Sequence, residues 1–403
     1  MAEAQVELAK RTINFSTNSA LNRLKWIRRN KDKQNLSNQN VKLNFSNSMF
    51  SPLKTLPISY FKKTSISKNK NDSNKNYFHW SEGSISLGRV GDTSIASTKE
   101  VHTNSLTFGF DKFTDHFSIN GFAFRFGKDD VDVGSSGSNL DSNTYNITYY
   151  STSPIKNDTR FVDKIFGIGK IKSDILTVLD GKYLTADRTG HQIYGTLKIK
   201  DEYKKDNITL IPSGQFDFGH TILHSYKEEG KGGIDVKKQQ VRTKKLRAAI
   251  ALVEDLSNEK YTLKRHGKLE YVAEIDRSSN FKYTYVGDGS TSFNDTLHTG
   301  SLHNINGEIG IDIVFPERYS LFIIYERNHA FGSGYTDNLY IALGYLPHED
   351  SEFAFIINGS ENLMSKFEIK KNINGYDLSF NLNDDLTNLG DNKEASINLN
   401  KVF

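Results

Sequence analysis

Apolar and polar residues alternate in short segments from Trp80 to the end of the chain. In LTFGFDK at 106–112, every second residue of the first five is apolar. Similar segments recur as far as ASINLNKVF at 395–403, and Gly, Asn, Asp and Ser residues separate them. A period of two residues is typical of β-strands that bury one face. The pattern therefore predicts an all-β fold of antiparallel strands for residues 77–403.

A continuous sheet of so many strands favours closure into a barrel, because an open sheet would leave long unpaired edges. No stretch of the chain approaches the roughly 18 to 20 apolar residues of a membrane helix. A membrane strand needs only about 10 residues with every second one facing lipid. A mean hydropathy of −0.56 is therefore compatible with membrane insertion. We predict a transmembrane, up-and-down antiparallel β-barrel.

The connections and the aromatic residues suggest how such a barrel would sit in a membrane. A short turn at 111–116 contrasts with a long polar loop at 127–143, and outer-membrane barrels show this contrast between their two ends. The chain also contains 19 Tyr and 26 Phe residues, and aromatic rings favour membrane interfaces. We expect Trp80 and several Tyr and Phe residues to lie in interfacial girdles.

The N-terminal residues 1–30 have a different pattern, which predicts a helix. Leucine and isoleucine recur at helical spacing in LNRLKWI at 21–27, and Asn18 or Ser19 can cap a helix there. Residues 31–76 are rich in Asn, Ser and Lys, so we expect a polar linker.

The polar flank of this helix is basic, and two interpretations are open. Charged helix faces are usually solvated, so the helix could simply pack on another surface. Alternatively, its cations face carboxylates inside the barrel, because lumen-facing residues alternate with lipid-facing ones. The cations are Arg23, Lys25, Arg28 and Arg29, and the candidate carboxylates at interior positions are Glu82, Asp111, Asp217, Asp312 and Glu326.

Composition and motifs favour no catalytic centre, metal or cofactor. The chain has no Cys, which excludes thiolate metal sites and disulfides, and a net charge of +4 is too small to indicate nucleic acid. His220 and His224 are four residues apart, but the metalloprotease Glu is missing and a strand is predicted there. The serine hydrolase motif G-x-S-x-G does not occur. We therefore expect a protein that is not an enzyme.

Several segments together resemble the C-terminal translocator domain of autotransporters, the β-barrel of type V secretion. WSEGSISLGRVGD at 80–92 is similar to the opening strand of that family, and LTFGFDK at 106–112 is similar to its Gly-x-Asp hairpin. IGIDIVF at 309–315 and the terminal Phe403 follow in the order of the family. TNSALNRLKWIRR at 17–29 looks like the helix that plugs the pore in these proteins.

The resemblance implies a barrel of about 12 strands in the bacterial outer membrane, with the N-terminal α-helix in its lumen. It implies export and surface anchoring of the chain's own N-terminal passenger. Outer-membrane lipid, the barrel-assembly machine and the passenger segment would be the partners of a monomer. The domains would be 1–30 for the passenger remnant and pore helix, 31–76 for the linker and 77–403 for the barrel.

The terminal strand is expected to be the signal for membrane assembly. Ile397, Leu399 and Phe403 lie on one face of it, and Lys401 stands where family members often carry an aromatic residue. Two other functions remain open: a porin-like channel or barrel adhesin with a disordered N-terminal segment, and a soluble all-β carbohydrate-binding protein. Residues 1–15 lack the apolar core of a secretory signal, so an exported chain would start inside a longer protein. The identity of the passenger and its cleavage stay open.

Overall fold

The computed structural model describes most of the chain. The described residues are 1–31, 36–37, 40–45, 77–91, 97–115, 117–155, 158–230, 232–315, 319–345, 351–359, 363–373, 376–385 and 394–401. Within these ranges no helix combines the length and the apolar character that a membrane span requires.

Twelve long antiparallel strands form one closed barrel. Each strand pairs with the next along the chain, and the last pairs with the first from Gly334↔Val90 to Ile341↔Gly83. The barrel strands are β1 (Phe78–Val90), β2 (Lys99–Phe113), β3 (Ile119–Val133), β4 (Ser138–Pro154), β5 (Arg160–Leu179), β6 (Lys182–Asp201), β7 (Ile208–Leu223), β8 (Gln239–Asp255), β9 (Thr262–Glu274), β10 (His303–Val314), β11 (Tyr319–Ala330) and β12 (Gly334–Tyr345). The predicted twelve-stranded up-and-down barrel is confirmed.

The two faces of the barrel have the polarity of a membrane protein. On β6, the exposed outer face carries Ile193, Leu197 and Ile199, whereas Gln192 and Lys198 are buried on the inner face. A soluble barrel would bury the aliphatic residues and expose the polar ones. The apolar outer face instead fits a hydrocarbon solvent, and the polar inner face fits a hydrated or protein-filled lumen.

The two ends of the barrel differ in their connections. One end, here named the short-turn end, carries the brief turns near residues 114–118 and 256–261 together with the first and last barrel residues. The other, the long-loop end, carries the connections 224–238 and 275–302. Four short strands in these two connections form a small sheet, namely Tyr226–Lys227, Ile234–Val236, Ser278–Tyr285 and Asp288–His298. A further strand, Tyr203–Lys205, pairs with β7 at the short-turn end.

The expectation of a long polar loop at 127–143 is wrong. Strands β3 and β4 continue through this segment in register, with Lys128 opposite Asn143, and only a turn at 134–137 joins them. Lys128, Asp130, Asn139 and Asp141 face outward on strands that extend past the apolar part of the barrel, whereas Asp129 is buried on the inner face. The polarity of the segment therefore reflects its position along the strands rather than a loop.

The N-terminal helix α1 (Ala2–Arg29) runs through the lumen of the barrel. It is one continuous helix, so the cap expected at Asn18 or Ser19 is wrong. Asn18 donates its side-chain amide to the Tyr340 hydroxyl at 3.2 Å instead. A polar side chain in the middle of a buried helix is tolerated here because the polar wall supplies its hydrogen-bond partner.

The C-terminal boundary of the barrel differs from the predicted one. The last barrel strand ends at Tyr345, whereas the barrel was expected to extend to residue 403. The strands that follow pair in a second, five-stranded sheet with a strand of the predicted linker, Asn40–Phe45. These strands are Ser351–Gly359, Leu363–Ile373, Tyr376–Asp385 and Glu394–Lys401. Ile397 and Leu399 therefore lie in this sheet, where they are exposed. Phe403 and most of the linker lie outside the described residues, so the proposed assembly signal stays a prediction.

Candidate functional site: the lumen and its helix

Every charged side chain of α1 forms an ion pair with the rest of the chain, and all the partners but one lie on barrel strands. The six basic residues pair as Lys10–Glu274 at 2.8 Å, Arg11–Asp129 at 3.1 Å, Arg23–Asp111 at 2.7 Å, Lys25–Glu308 at 2.8 Å, Arg28–Glu202 at 2.7 Å and Arg29–Asp312 at 2.6 Å. The two acidic residues, Glu3 and Glu7, both lie 3.3 Å from Lys99. Glu202 follows the last residue of β6 at the short-turn end.

The pair between Arg23 and Asp111 is the most completely buried of the predicted contacts. Arg23 donates from Nε and Nη2 to the two carboxylate oxygens of Asp111, at 2.7 and 3.0 Å. The side chains are 3% and 0% exposed. Tyr150 donates a further bond to the same carboxylate at 2.8 Å, and Trp80 donates to the Tyr150 hydroxyl at 2.7 Å. A planar guanidinium matched to a carboxylate in this way gives strength and a defined orientation.

Trp80 thus lies in the lumen, and its expected place in an interfacial girdle is wrong. Its indole is 2% exposed and packs edge-on against Tyr150. Gly109 lies opposite Trp80 on β2, where a Cβ atom would come within 2.3 Å of the indole ring. The ring is held inward because this glycine leaves room for it, and it then forms part of the wall around Arg23.

The other cations predicted on the helix are also inside the barrel. Arg29 forms a two-pronged pair with Asp312, at 2.6 and 3.0 Å. Lys25 reaches both carboxylate oxygens of Glu308, and Arg28 reaches both oxygens of Glu202. Neither glutamate was among the predicted partners.

The remaining predicted carboxylates face the lumen but do not pair with a helix cation. Glu82 accepts a bond from the Asn22 amide at 3.3 Å, and Glu326 accepts one from Asn18 at 3.4 Å. Asp217 lies 2.5 Å from Arg247, a cation of the neighbouring strand. All five predicted acids are buried, so their inward direction is as predicted, and Asp111 and Asp312 alone among them bind helix cations.

The pairs near the long-loop end involve Lys10, Arg11 and Lys99, which the sequence reasoning missed. Period-two alternation assigned the direction of each strand residue, but not its height in the barrel or its angle to the helix. A signal was available in the sequence, since the acidic residues of the helix occur before Leu8 and its basic residues after it. This order also complements the helix dipole, which favours anions near the first turn and cations near the last.

Apolar contacts complement the ion pairs. Ala20, Leu21 and Leu24 are buried against the Trp80 and Tyr150 side of the wall. Nearer the middle of the helix, Ile13 packs directly over Gly219 of β7, where an added Cβ atom would lie 2.6 Å from the Ile13 Cδ1 atom. The barrel wall is therefore complementary to the helix in shape as well as in charge.

Among the described residues, no group of three or more His, Cys, Asp or Glu side chains is arranged to hold a metal ion. His224 hydrogen-bonds to His191 at 2.9 Å and not to His220. The two histidines singled out in the sequence therefore do not form a site together.

A family model described as an autotransporter β-domain matches residues 79–326. The chain belongs to the autotransporter β-domain family. A search of curated protein sequences found no match.

Solved structures agree with this assignment at the level of the fold. The translocator domain of the autotransporter NalP from Neisseria meningitidis superposes with a TM-score of 0.54 at 14% identity, over 68% of this chain and 89% of that one. The β-domain of the Bordetella autotransporter BrkA superposes with a TM-score of 0.52 at 10% identity, over 68% of this chain and all of that one. This autotransporter β-domain is therefore an outer-membrane translocator for a passenger.

Proposed function

We propose that this translocator exports its own N-terminal passenger and that α1 then closes the lumen and anchors the exported segment. The single observation that carries the proposal is the match between helix and wall, in which all eight charged helix side chains meet an opposite charge. A porin-like channel with a disordered N-terminal tail has no need of such a match.

The direction of the helix supports export toward the long-loop end. Glu3 and Glu7 contact Lys99, the first residue of β2 at that end, whereas Arg29 contacts Asp312 near the short-turn end. A segment joined to the start of the helix would therefore emerge at the long-loop end. The C-terminal end of the helix lies on the side from which the chain enters β1.

The charge pairs explain why the helix would stay in place once export is complete. Removing one partner from a buried pair leaves an uncompensated charge, at a cost of about 3 to 5 kcal/mol. Withdrawing the whole helix would break several such pairs together. The folding of a passenger outside the cell would supply the driving force, and the barrel-assembly machine and outer-membrane lipid would be the partners of a monomeric barrel. Retention by charge pairing makes and breaks no covalent bond, so we propose that the chain works without catalysis or a cofactor.

Deletion of residues 1–30 tests the proposal. The shortened chain should still insert as a barrel and should conduct ions more strongly than the full chain in planar bilayers, because the lumen loses its plug. Unchanged conductance of a folded, heat-modifiable barrel would refute a plugged lumen.

A second measurement covers the case in which the deletion variant fails to fold. The chain has no cysteine, so Asn22→Cys with Glu82→Cys introduces the sole thiol pair. The Asn22 amide nitrogen lies 3.3 Å from a Glu82 carboxylate oxygen, so a short thiol-reactive cross-linker that spans the two shortened side chains should join helix and wall in isolated outer membranes. A matched pair, Asn22→Cys with Asp201→Cys, should stay unjoined because Asp201 bonds outward to Arg160. Absence of the first cross-link would contradict a helix held in the lumen.

A further inference from the structure

The outer surface of the barrel has a charged band directly beyond its apolar belt at the long-loop end. On β5 the outward-facing residues run from Phe166 and Ile168 to Lys170 and Lys172, and on β8 they run from Leu246 to Lys244 and Arg242. The change from apolar to basic thus occurs within one outward position on each strand.

The same change recurs on neighbouring strands. We consider the first outward-facing residue beyond the apolar belt on each of the six adjacent strands β3 to β8. This residue is Lys or His on five of the strands, and it is Asn143 on β4. The band, here named the basic row, consists of Lys128 on β3, Lys170 on β5, His191 on β6, His220 on β7 and Lys244 on β8, with Lys172 and Arg242 one outward position farther from the belt.

The opposite border of the belt is built differently. On the same six strands, its polar residues include Asn120, Ser151 and acidic Asp201 and Glu254. Arg160 is bound there by both oxygens of Asp201, at 2.7 and 3.1 Å, and Glu254 bonds to the guanidinium of Arg265. Arg160 and Arg265, the two arginines at this border, are thus each neutralised by an adjacent carboxylate.

The basic row lacks this neutralisation at its centre. Within the described part of the chain, Lys170, Lys172 and Arg242 have no carboxylate within ion-pair distance, and Lys244 has only Asp276 at 3.9 Å. Their long aliphatic stems can lie along the apolar belt while the charged ends reach the polar layer. The row therefore presents positive charge at the level of lipid head groups.

A line of aspartates limits the row on its outer side. Asp130, Asp141, Asp174 and Asp187 are direct cross-strand neighbours on β3 to β6, farther from the belt than the basic row. An anion is repelled by these carboxylates above and excluded by the hydrocarbon below. Its position is therefore restricted to the height of the basic row.

We propose that the basic row binds the phosphorylated head group of a glycolipid in the leaflet at the long-loop end. Clusters of Lys and Arg beside a membrane recognise anionic head groups in this way. Lys170 and Lys244 are three strand spacings apart and four residues out of register, which places their backbones about 20 Å apart, so a single phosphate cannot reach both. A head group with two separated phosphates can meet both lysines through their long side chains, and the sugar that joins the phosphates would lie below the aspartates. The binding concerns the outside of the barrel and does not depend on the helix in the lumen.

The test uses the purified full chain reconstituted in phosphatidylcholine vesicles with added bisphosphorylated lipid A. Wild-type protein should retain lipid A through purification, detected by native mass spectrometry. The variant Lys170→Gln, Lys172→Gln, Lys244→Gln should lose about a hundredfold in affinity, since each cation at an anionic surface contributes roughly fivefold. The positions are on the outer face, and heat-modifiable mobility would confirm that the variant is folded.

Three comparisons decide the result. Lys112→Gln, Lys164→Gln, Arg265→Gln at the other border of the belt should retain lipid A like wild type. Monophosphorylated lipid A and phosphatidylglycerol should both bind more weakly than the bisphosphorylated lipid. The proposal is overturned if the first variant retains lipid A fully, if the second variant loses as much, or if phosphatidylglycerol binds equally well. None of these results affects the conductance expected of the plugged lumen, so the two proposals fail separately.

Discussion

Replacing Arg23 by Met removes the buried charge that joins the helix to Asp111 and keeps a long apolar side chain in its place. The Asp111 carboxylate then stays buried with the Tyr150 hydroxyl as its remaining side-chain donor. Loss of one partner from a buried pair costs about 3 to 5 kcal/mol. At 1.4 kcal/mol per power of ten, the population of barrels with a displaced helix should rise roughly 10² to 10³·⁵-fold.

A matched control exists on the outer surface. Arg160 binds Asp201 with the same two-pronged geometry, at 2.7 and 3.1 Å, but the side chains are 49% and 22% exposed. Exposed pairs contribute about 0 to 1 kcal/mol. Arg160→Met should therefore change the population of open barrels by less than about a factor of five.

Single-channel recording in planar bilayers measures this population directly as the frequency and length of open periods. Proteolysis of the helix by trypsin in detergent-solubilised barrels gives an independent measure of its release. A double variant, Arg23→Met with Asp111→Leu, should regain much of the lost stability, because it removes the uncompensated charge. Equal opening of Arg23→Met and Arg160→Met would refute the inference that burial gives the lumen pair its strength.

Two further predictions follow from the shape of the lumen and from the end of the chain. Gly219→Leu should push Ile13 and the helix away from β7 and raise helix release about ten- to a hundredfold, since overpacking costs roughly 1 to 3 kcal/mol; Gly214→Leu on the same strand has open space around its Cβ position and should leave conductance unchanged. Phe403→Asp should slow insertion into the outer membrane by about one to two powers of ten without lowering the melting temperature of inserted barrels, because a Phe side chain in a recognition pocket is worth roughly 1.5 to 3 kcal/mol. If the Phe403→Asp variant inserts as fast as the wild type while Leu343→Asp inserts slowly, the assembly signal lies in the last barrel strand and not at the end of the chain.

Direction on a strand is the feature of the site that the amino-acid sequence determined well. Glu82, Asp111 and Asp312 were assigned to the lumen by alternation, and each side chain is buried there. Alternation is a local property, because successive side chains of a strand point to opposite faces whatever the strand pairs with. The helix was predicted for the same reason, from its own spacing of leucine and isoleucine.

Pairing partners required the tertiary structure. Nothing in the local sequence separates Glu308 and Glu202 from Asp217 as partners for the helix. Glu308 and Glu202 nevertheless form ion pairs with the helix residues Lys25 and Arg28, whereas Asp217 pairs with Arg247 of the neighbouring strand. Which carboxylate reaches which cation depends on strand register, strand tilt and the rotation of the helix. These are set by the closure of the whole ring and cannot be obtained from any single segment.

The sequence alone thus determined the alternation of polarity along each strand and the amphipathic N-terminal helix, because both follow from short-range periodicity. The class of barrel rested on the resemblance to a known family. Only the tertiary structure decided that Trp80 turns inward, that β3 and β4 continue through 127–143, and that the ring closes at Tyr345. Segments with the same alternation can enter the barrel or a separate sheet, as residues 394–401 do. Which sheet a strand joins depends on the neighbouring strand with which it pairs, and that neighbour can be formed by residues distant in the chain.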